Sequence, residues 1–554
     1  MPSFTSKIAA FVAAWKNKEH NVFKIVFLCA LVILVFDNQL LHATLIRILG
    51  GASPSGFVVY GAMVLILLAS LYLLLSLFAM KHFTKPVLIL ILISASITGY
   101  FFDTYGVVID DHMLQNVAET DTHEAAELLS WKMLAYLVFF GVLPATIVAF
   151  TKLEYKPFTR HLVWQGGYIA ASLLIVGTLV LAFYKDVSII GREHHELRYY
   201  MNPGYPLYSL VKFVRHAAAD ESEAPAPIGA DAQEATSWQE RGKKTLFVFV
   251  LGETATESHF SLGGYARDTN PHTRDQRVIF FDQVASCGTS TAESVPCMFS
   301  SLGRDNYSAS AAASQENLLD VLTHAKIDVQ WLDNNSGCKG VCNRVAHESV
   351  SSLQVPEVCR TDECYDEILL RSLQQHLAKA QGDSVIVLHQ KGSHGPAYAK
   401  RHPPAFARFT PECLSDQVQS CDQQSVVNAY DNTILYTDYF LAKTIEMLKE
   451  RERDFNTAML YVSDHGESLG ENGIYLHGLP YAFAPEEQKH VPMMLWLSEG
   501  YKQAYRIDDD CLEAKHSGGY SHDNLFHTVL GLMDVKTAAY VPTQDISRDC
   551  RVKT

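Results

Sequence analysis

Residues 244–254 read Lys-Thr-Leu-Phe-Val-Phe-Val-Leu-Gly-Glu-Thr. A short, unbroken apolar run rich in valine and phenylalanine, closed by glycine, predicts a strand over 245–251 buried on both faces. The pattern then repeats. Helical periodicity over 316–325 precedes a strand over 328–332, and a helix over 366–380 precedes a strand over 384–388. A long helix over 428–450 leads to a strand over 458–462, followed by a strand over 491–497 and a helix over 522–532. Strands alternating with helices predict a largely parallel sheet between helices, an α/β domain. Active sites in such sheets lie beyond the carboxyl ends of the strands. Glu253 stands there, as do Asp464 and His465 in Ser463-Asp464-His465-Gly466 and, after the loops that follow their strands, Lys339 and His394.

A second stretch supplies a hydroxyl. Ser286-Cys287-Gly288-Thr289-Ser290-Thr291-Ala292-Glu293-Ser294-Val295-Pro296-Cys297 is bracketed by two cysteines. Zinc takes carboxylate oxygen and imidazole nitrogen and leaves a place for the reacting group. Glu253, Asp464 and His465 are candidate ligands, and Thr291 fits the fourth place. Coordination would lower the hydroxyl pKa and make a nucleophile of it. Were Thr291 to open a helix, the dipole would favour its anionic form. Each residue has a plainer reading: Thr289, Ser290 or Thr291 as a helix cap, Glu253 as a cap, and Asp464-His465-Gly466 as an ordinary turn. Their shared location favours a site. His394 in Gly392-Ser393-His394-Gly395, His477 in Leu476-His477-Gly478, and Lys339 are candidates to meet a phosphoryl oxygen or protonate a leaving group. For all three the alternative is a surface loop residue.

The chain has 554 residues, 48% hydrophobic and 19% charged, with the apolar excess ahead of residue 185. The net charge of -15 argues against nucleic-acid binding. Five stretches are long enough, or nearly so, to cross a bilayer: 22–45, 57–79, 86–102, 131–150 and 164–184. The third is short enough to be re-entrant, and the first carries Asp37 and Asn38 inside it. Lys7, Lys16, Lys18 and Lys24, then Lys81 and Lys85, then Lys152, Lys156 and Arg160 mark one side of the membrane. The other loops hold only Arg47 and the acids between 103 and 127. The positive-inside rule places the N-terminus in the cytoplasm and everything after residue 184 outside. No cleavable signal peptide is read at the N-terminus. The expected division is a transmembrane domain over 1–184, a connector over 185–241 and a catalytic domain over 242–554. Within the connector, 205–216 reads as a membrane-surface helix and 217–239 as a flexible linker.

Cysteine use agrees with an outward, oxidising location. Cys29 lies in the membrane segment; the other ten cysteines all follow residue 280. Proximity suggests Cys287–Cys297, Cys338–Cys342, Cys359–Cys364 and Cys413–Cys421, leaving Cys511 and Cys550 for each other. A thiolate zinc site is the competing reading, weakened by the lack of paired CxxC motifs.

Ser-Cys-Gly-Thr-Ser-Thr-Ala followed by Ser-Val-Pro-Cys-Met-Phe-Ser resembles the nucleophile segment of the phosphoethanolamine transferases of Gram-negative bacteria, in the alkaline phosphatase superfamily. The match is to the lipid A-modifying branch that includes the mobile colistin-resistance enzymes. The resemblance covers the whole chain and implies a five-helix transmembrane bundle followed by an alkaline-phosphatase/sulfatase-like α/β domain. It implies that Thr291 becomes phosphoethanolaminated, with Glu253, Asp464 and His465 as its zinc partners. It further implies that His394, His477, Lys339, Asn335 and Ser336 contact the transferred group. It marks Asn116, Thr120 and Glu124, spaced i, i+4 and i+8, as holders of a lipid head group, against the alternative of a solvated helix face. Cys511 and Cys550 are not matched to the family pattern. The implied reaction moves phosphoethanolamine from phosphatidylethanolamine to a phosphate of lipid A in the bacterial inner membrane, by a monomer, with resistance to polymyxin-like cationic peptides as the outcome. The alternatives are a core sugar or other envelope glycan as acceptor, a phosphatase- or sulfatase-type hydrolase, and a non-enzymatic membrane sensor.

Overall fold

The computed structural model describes residues 15, 18–49, 54–119, 122–219, 225–235, 241–360 and 363–552. The chain forms two compact units, 1–110 with 129–211, and 111–128 with 212–554.

The first unit is helical. Helix α1 (Val22–Phe36) and α2 (Gln39–Ile48) meet at a bend of 63°. Then come α3 (Pro54–Ser76), α4 (Thr84–Tyr105), the span Trp131–Phe150 and, as α5, Phe158–Ala182. Among the described residues, four helices are long and apolar enough to cross a membrane, and five if the bent pair is one span. The stretch expected to be short, 86–102, is a 22-residue helix. Leu90, Leu174 and Leu181 are 68%, 70% and 78% exposed, a cost in water that hydrocarbon removes. The bend falls at Asp37-Asn38, and its freed backbone groups are satisfied from far along the chain. Asn202 Nδ2 donates to Asp37 O (2.9 Å) and Ala95 O (2.7 Å). Asn38 Nδ2 donates to Asn202 O and Ile33 O, both at 3.0 Å. Asn38 thus marks a break with a dedicated partner, while both Asp37 carboxylate oxygens are buried without a hydrogen-bond partner among the described residues.

The second unit is built on a seven-stranded sheet. Its strands are β1 (Lys244–Gly252), β2 (Ile279–Phe281), β3 (Asp328–Asp333), β4 (Ala346–Ser349), β5 (Ser384–His389), β6 (Phe455–Ser463) and β7 (Met493–Leu497). The spatial order is β2-β7-β6-β1-β5-β3-β4. Pairs from β6 to β4 are parallel, and β7 runs antiparallel to β6 and β2. Side chains alternate across β1. Phe247, Phe249 and Leu251 enter one core, and Leu246, Val248 and Val250 enter the other. Both faces are covered, which is why the strand reads as a continuous apolar run.

The long helix, Gln423–Lys449, starts earlier than its apolar period suggests because Asp422 caps it, accepting from Ser425 N at 3.0 Å. The expected helix over 316–325 is shorter, Leu318–His324, bounded by an Asn317–Asp320 capping box. Strands β2 and β4 had no sequence expectation; three and four residues are too few to show a period. The connector contains a helix at Gly204–Ala219. Of the stretch read as a flexible linker, 220–224 and 236–239 lie outside the described residues. Residues 225–235 run along the second unit, where Gln233–Glu234 pairs with Val535–Lys536.

Candidate active site

Strands β1 and β6 are neighbours in register, Gly252 opposite Ser463. Glu253 and Asp464 therefore leave the sheet side by side, and Asp464 N donates to Gly252 O at 3.0 Å. His465 follows at once. Its Nε2 lies 3.3 Å from Glu253 Oε1 and 3.4 Å from Asp464 Oδ2. Its Nδ1 lies 2.9 Å from Gly466 O, so that nitrogen carries a hydrogen and Nε2 is the atom turned toward the two carboxylates.

Thr291 is the first residue of an eight-residue helix, Thr291–Met298, behind Ser290 in extended conformation. Its Oγ1 lies 3.2 and 3.1 Å from the two Glu253 oxygens and 3.3 Å from His465 Nε2. Two neighbouring hydroxyls are committed elsewhere. Thr289 Oγ1 donates to Leu479 O at 2.6 Å and Ser294 Oγ to Asp464 O at 2.5 Å. A disulfide joins Cys287 to Cys297 around this segment, and four more join Cys338–Cys342, Cys359–Cys364, Cys413–Cys421 and Cys511–Cys550.

A cation fits this cluster. One ligand atom each from Glu253, Asp464 and His465 lie within 4.8 Å of one another, and all three residues are buried. Asp464 Oδ2 is buried without a hydrogen-bond partner among the described residues. Two carboxylates so placed are costly without positive charge. Burial and the Glu253 charge push the Asp464 carboxyl up to about 7. Burial alone would lower His465, but Asp464 and Glu253 outweigh it and raise the imidazole to about 10. Burial would raise Glu253; the His465 hydrogen bond and charge, with His394 and His477, hold it below the usual carboxylate range. Two carboxylates, an imidazole and a hydroxyl are oxygen and nitrogen donors of the kind a divalent metal ion accepts.

Two more histidines join the cluster. The His477 ring centre is 4.4 Å from that of His465 and 5.4 Å from that of His394. His477 Nδ1 lies 2.7 Å from Glu467 Oε2, and Tyr398 OH donates to Glu467 Oε1 at 2.6 Å. Burial, with positive charge nearby, lowers the His477 pKa despite Glu467. Glu467 and Tyr398 carried no sequence expectation. Glu467 stands two residues past His465, where the strand-end motif could have flagged it.

Asn335 Nδ2 donates to Glu253 Oε2 at 2.7 Å and to Gln390 O at 2.9 Å, so this residue holds a ligand candidate. Behind it, His389 Nδ1 pairs with Asp333 Oδ2 at 2.8 Å. Lys339 Nζ donates to Ser336 Oγ at 3.1 Å. Asn116 is half-buried on Asp111–Glu119, a helix packed against Thr291–Met298. Thr120 and the Glu124 side chain lie outside the described residues. A second helix, Thr122–Glu127, follows the undescribed pair, so the structure does not show the three residues on one face of a single helix. Glu127 on that second helix pairs with Lys400 and the buried Arg401, whose Nε donates to His394 O at 2.7 Å.

A parallel sheet that aims a threonine and a buried acid–acid–imidazole set past its strand ends, following apolar spans, defines a membrane-bound member of the alkaline phosphatase superfamily. The family profile described as Sulfatase matches residues 245–535, and that described as Phosphoethanolamine transferase EptA/EptB matches 67–218. The chain is 40% identical over 543 residues to phosphoethanolamine transferase EptA of Escherichia coli K12, covering 97% of this chain and 98% of that protein. It is 42% identical over 501 residues to phosphatidylethanolamine transferase Mcr-1 of Escherichia coli, covering 88% and 89%. The integral membrane lipooligosaccharide phosphoethanolamine transferase A of Neisseria meningitidis superposes with a TM-score of 0.93 at 34% identity, over 96% of this chain and all of that one. The chain belongs to the phosphoethanolamine transferase family.

Proposed function

We propose that the protein transfers phosphoethanolamine from phosphatidylethanolamine to a phosphate of lipid A, through a covalent intermediate on Thr291. The observation that carries this reading is the placing of Thr291 Oγ1 at a helix N-terminus, within 3.3 Å of both Glu253 and His465. Mcr-1 is a phosphatidylethanolamine transferase and the Neisseria protein a lipooligosaccharide phosphoethanolamine transferase, which supports this donor and a lipooligosaccharide-type acceptor.

Glu253, Asp464, His465 and Thr291 would hold zinc, which when bound lowers the hydroxyl pKa and draws charge from phosphoryl oxygens. In the first half-reaction Thr291 Oγ bonds to phosphorus as the bond to the diacylglycerol oxygen breaks. The threonine proton passes to the Glu253 carboxylate, which its hydroxyl already touches. His477, oriented by Glu467, or His394 donates a proton to the departing diacylglycerol oxygen. In the second, an oxygen of the lipid A phosphate bonds to the same phosphorus, and the bond to Thr291 Oγ breaks. Lys339, Ser336 and Asn335 contact the transferred group, while Asn116, Thr120 and Glu124 hold the lipid head group. The transmembrane part, 1–184, and the connector, 185–241, keep the catalytic domain, 242–554, at the outer face of the inner membrane. The enzyme acts as a monomer, and the product surface, less negative, binds cationic peptides such as polymyxin less well.

Intact-mass analysis after incubation with phosphatidylethanolamine tests the intermediate. One added phosphoethanolamine is expected, absent from Thr291→Ala; an adduct on Ser290 or Thr289 would overturn the assignment. Mass spectra of lipid A from cells with and without the protein test the acceptor. An unmodified lipid A with a modified core sugar would move the reading to the glycan alternative, and free phosphoethanolamine alone would indicate a hydrolase.

A further inference from the structure

His522 is buried, 1% exposed, in the turn ahead of helix Leu525–Leu532. It lies far along the chain from both the nucleophile segment and the end of β6, yet it touches both. Its Nδ1 is 3.0 Å from Cys287 N, and its Nε2 is 3.0 Å from Ser463 O. Both partners are backbone groups, which removes the choice of tautomer. An amide N–H can only donate, so Nδ1 accepts; a carbonyl can only accept, so Nε2 carries the hydrogen. Burial keeps the ring neutral, as both bonds require.

The grip extends to each side of this imidazole. Ser294, on the helix that Thr291 opens, places Oγ 3.3 Å from His522 Nδ1 while donating to Asp464 O. Next to His522, Asp523 Oδ1 accepts from Arg304 N at 2.8 Å, and Arg304 Nη1 donates to Cys287 O at 2.6 Å. Both backbone polar groups of Cys287 are therefore held from the 522–523 turn. That turn is itself anchored: Ser521 and Asn524 form a capping box, and Tyr520–Ser521 pairs with Val284–Ala285 just before the nucleophile segment.

We propose that His522 is a positioning residue that sets the spacing between the Thr291 segment and the β6 strand end carrying Asp464 and His465. The inference rests on the reading that Thr291 carries the transferred group. Its physical content is preorganisation: reacting groups must be held to within a fraction of an ångström, and a 1 Å misplacement costs about 100-fold in rate.

The test compares full-length wild type, His522→Leu and His522→Gln in detergent, with short-chain phosphatidylethanolamine as donor. Glutamine is the conservative variant because its carboxamide again offers one acceptor and one donor. The limiting rate of adduct formation should fall about 100-fold in His522→Leu, with KM within about twofold, and recover in His522→Gln. Hydrogen exchange of the 286–291 backbone reads positioning without any reaction; it should rise in His522→Leu and return in His522→Gln. A folded His522→Leu that forms adduct within about threefold of wild type would overturn the proposal. So would a His522→Gln that melts with wild type yet is as slow as the leucine variant, or unchanged exchange in all three. Should His522→Leu not fold, wild type against His522→Gln decides by the same exchange and rate measurements. Failure of wild type to form a Thr291 adduct would instead refute the proposed reaction, and the exchange result would still decide the positioning.

Discussion

Replacing Gly392 by alanine should damage the site from behind. Gly392 has φ +56°, and an added Cβ would lie 2.6 Å from Glu253 O and 3.0 Å from Glu253 N and Cβ. Two costs add. A side chain in the left-handed region costs roughly 1–2 kcal/mol, and forcing atoms into a packed interior roughly 1–3 kcal/mol, for a total of roughly 2–5 kcal/mol. Gly519 separates them. It has φ +68° and nothing within 4 Å of its would-be Cβ, so Gly519→Ala bears only the conformational cost, roughly 1–2 kcal/mol. The crowding in Gly392→Ala falls on backbone that cannot rotate away. Glu253 must shift by some tenths of an ångström, and with it the carboxylate that faces Asp464, His465 and Thr291. Metal affinity should then fall about 10- to 100-fold, the range seen when support of a ligand is disturbed. Denaturant unfolding in detergent, bound zinc by elemental analysis and the Thr291 adduct by intact mass would all be read on both variants. Gly519→Ala should keep full zinc and full adduct. Equal stability losses in the two variants, or full zinc and normal adduct formation in Gly392→Ala, would refute the crowding account.

Glu253→Ala, Asp464→Ala and His465→Ala should each lower bound zinc and abolish adduct formation, and full occupancy in all three would count against the site. Acid should destabilise the protein partly through His522, whose burial pushes its pKa from 6.5 down to about 3. The unfolded chain takes up that proton as pH falls below 6.5 while the folded chain does not, so stability present above 6.5 is lost on acidification, by about 2 kcal/mol at pH 5. His522→Gln should flatten that limb of a pH–stability curve, and an unchanged slope between pH 6.5 and 5 would show that other groups carry it. The Cys511–Cys550 bridge spans 39 residues and Cys338–Cys342 only 4. Loop-closure entropy predicts losses of about 4 and about 2 kcal/mol for the corresponding double serine variants, and the reverse order in denaturant unfolding would point to native-state contacts instead.

Much of the architecture was legible because it follows local patterns. Residues 246–251 are apolar throughout because Phe247 and Val248 face two different cores, both covered. Thr291, Glu253, Asp464 and His465 were legible because each follows a strand or opens a helix, and strand ends are where a parallel sheet gathers chemistry. Asp37 and Asn38 were visible as polar residues inside one expected span, 22–45, but the 63° break there was not. Nor was its remedy, because Asn202, which repairs it, lies far along the chain. The same holds for Glu467 behind His477, Asp333 behind His389, Arg401 behind His394, and His522 between Cys287 and Ser463. A buried histidine in an apolar helix start reads in one dimension as a packed residue. What it does depends on which backbone groups the fold leaves unpaired around it, and the sheet register and loop closure decide that. Sequence by itself determined which elements form and which residues could do chemistry. Only the tertiary structure decided which of them meet and what holds them there, because those contacts join residues that no local period relates.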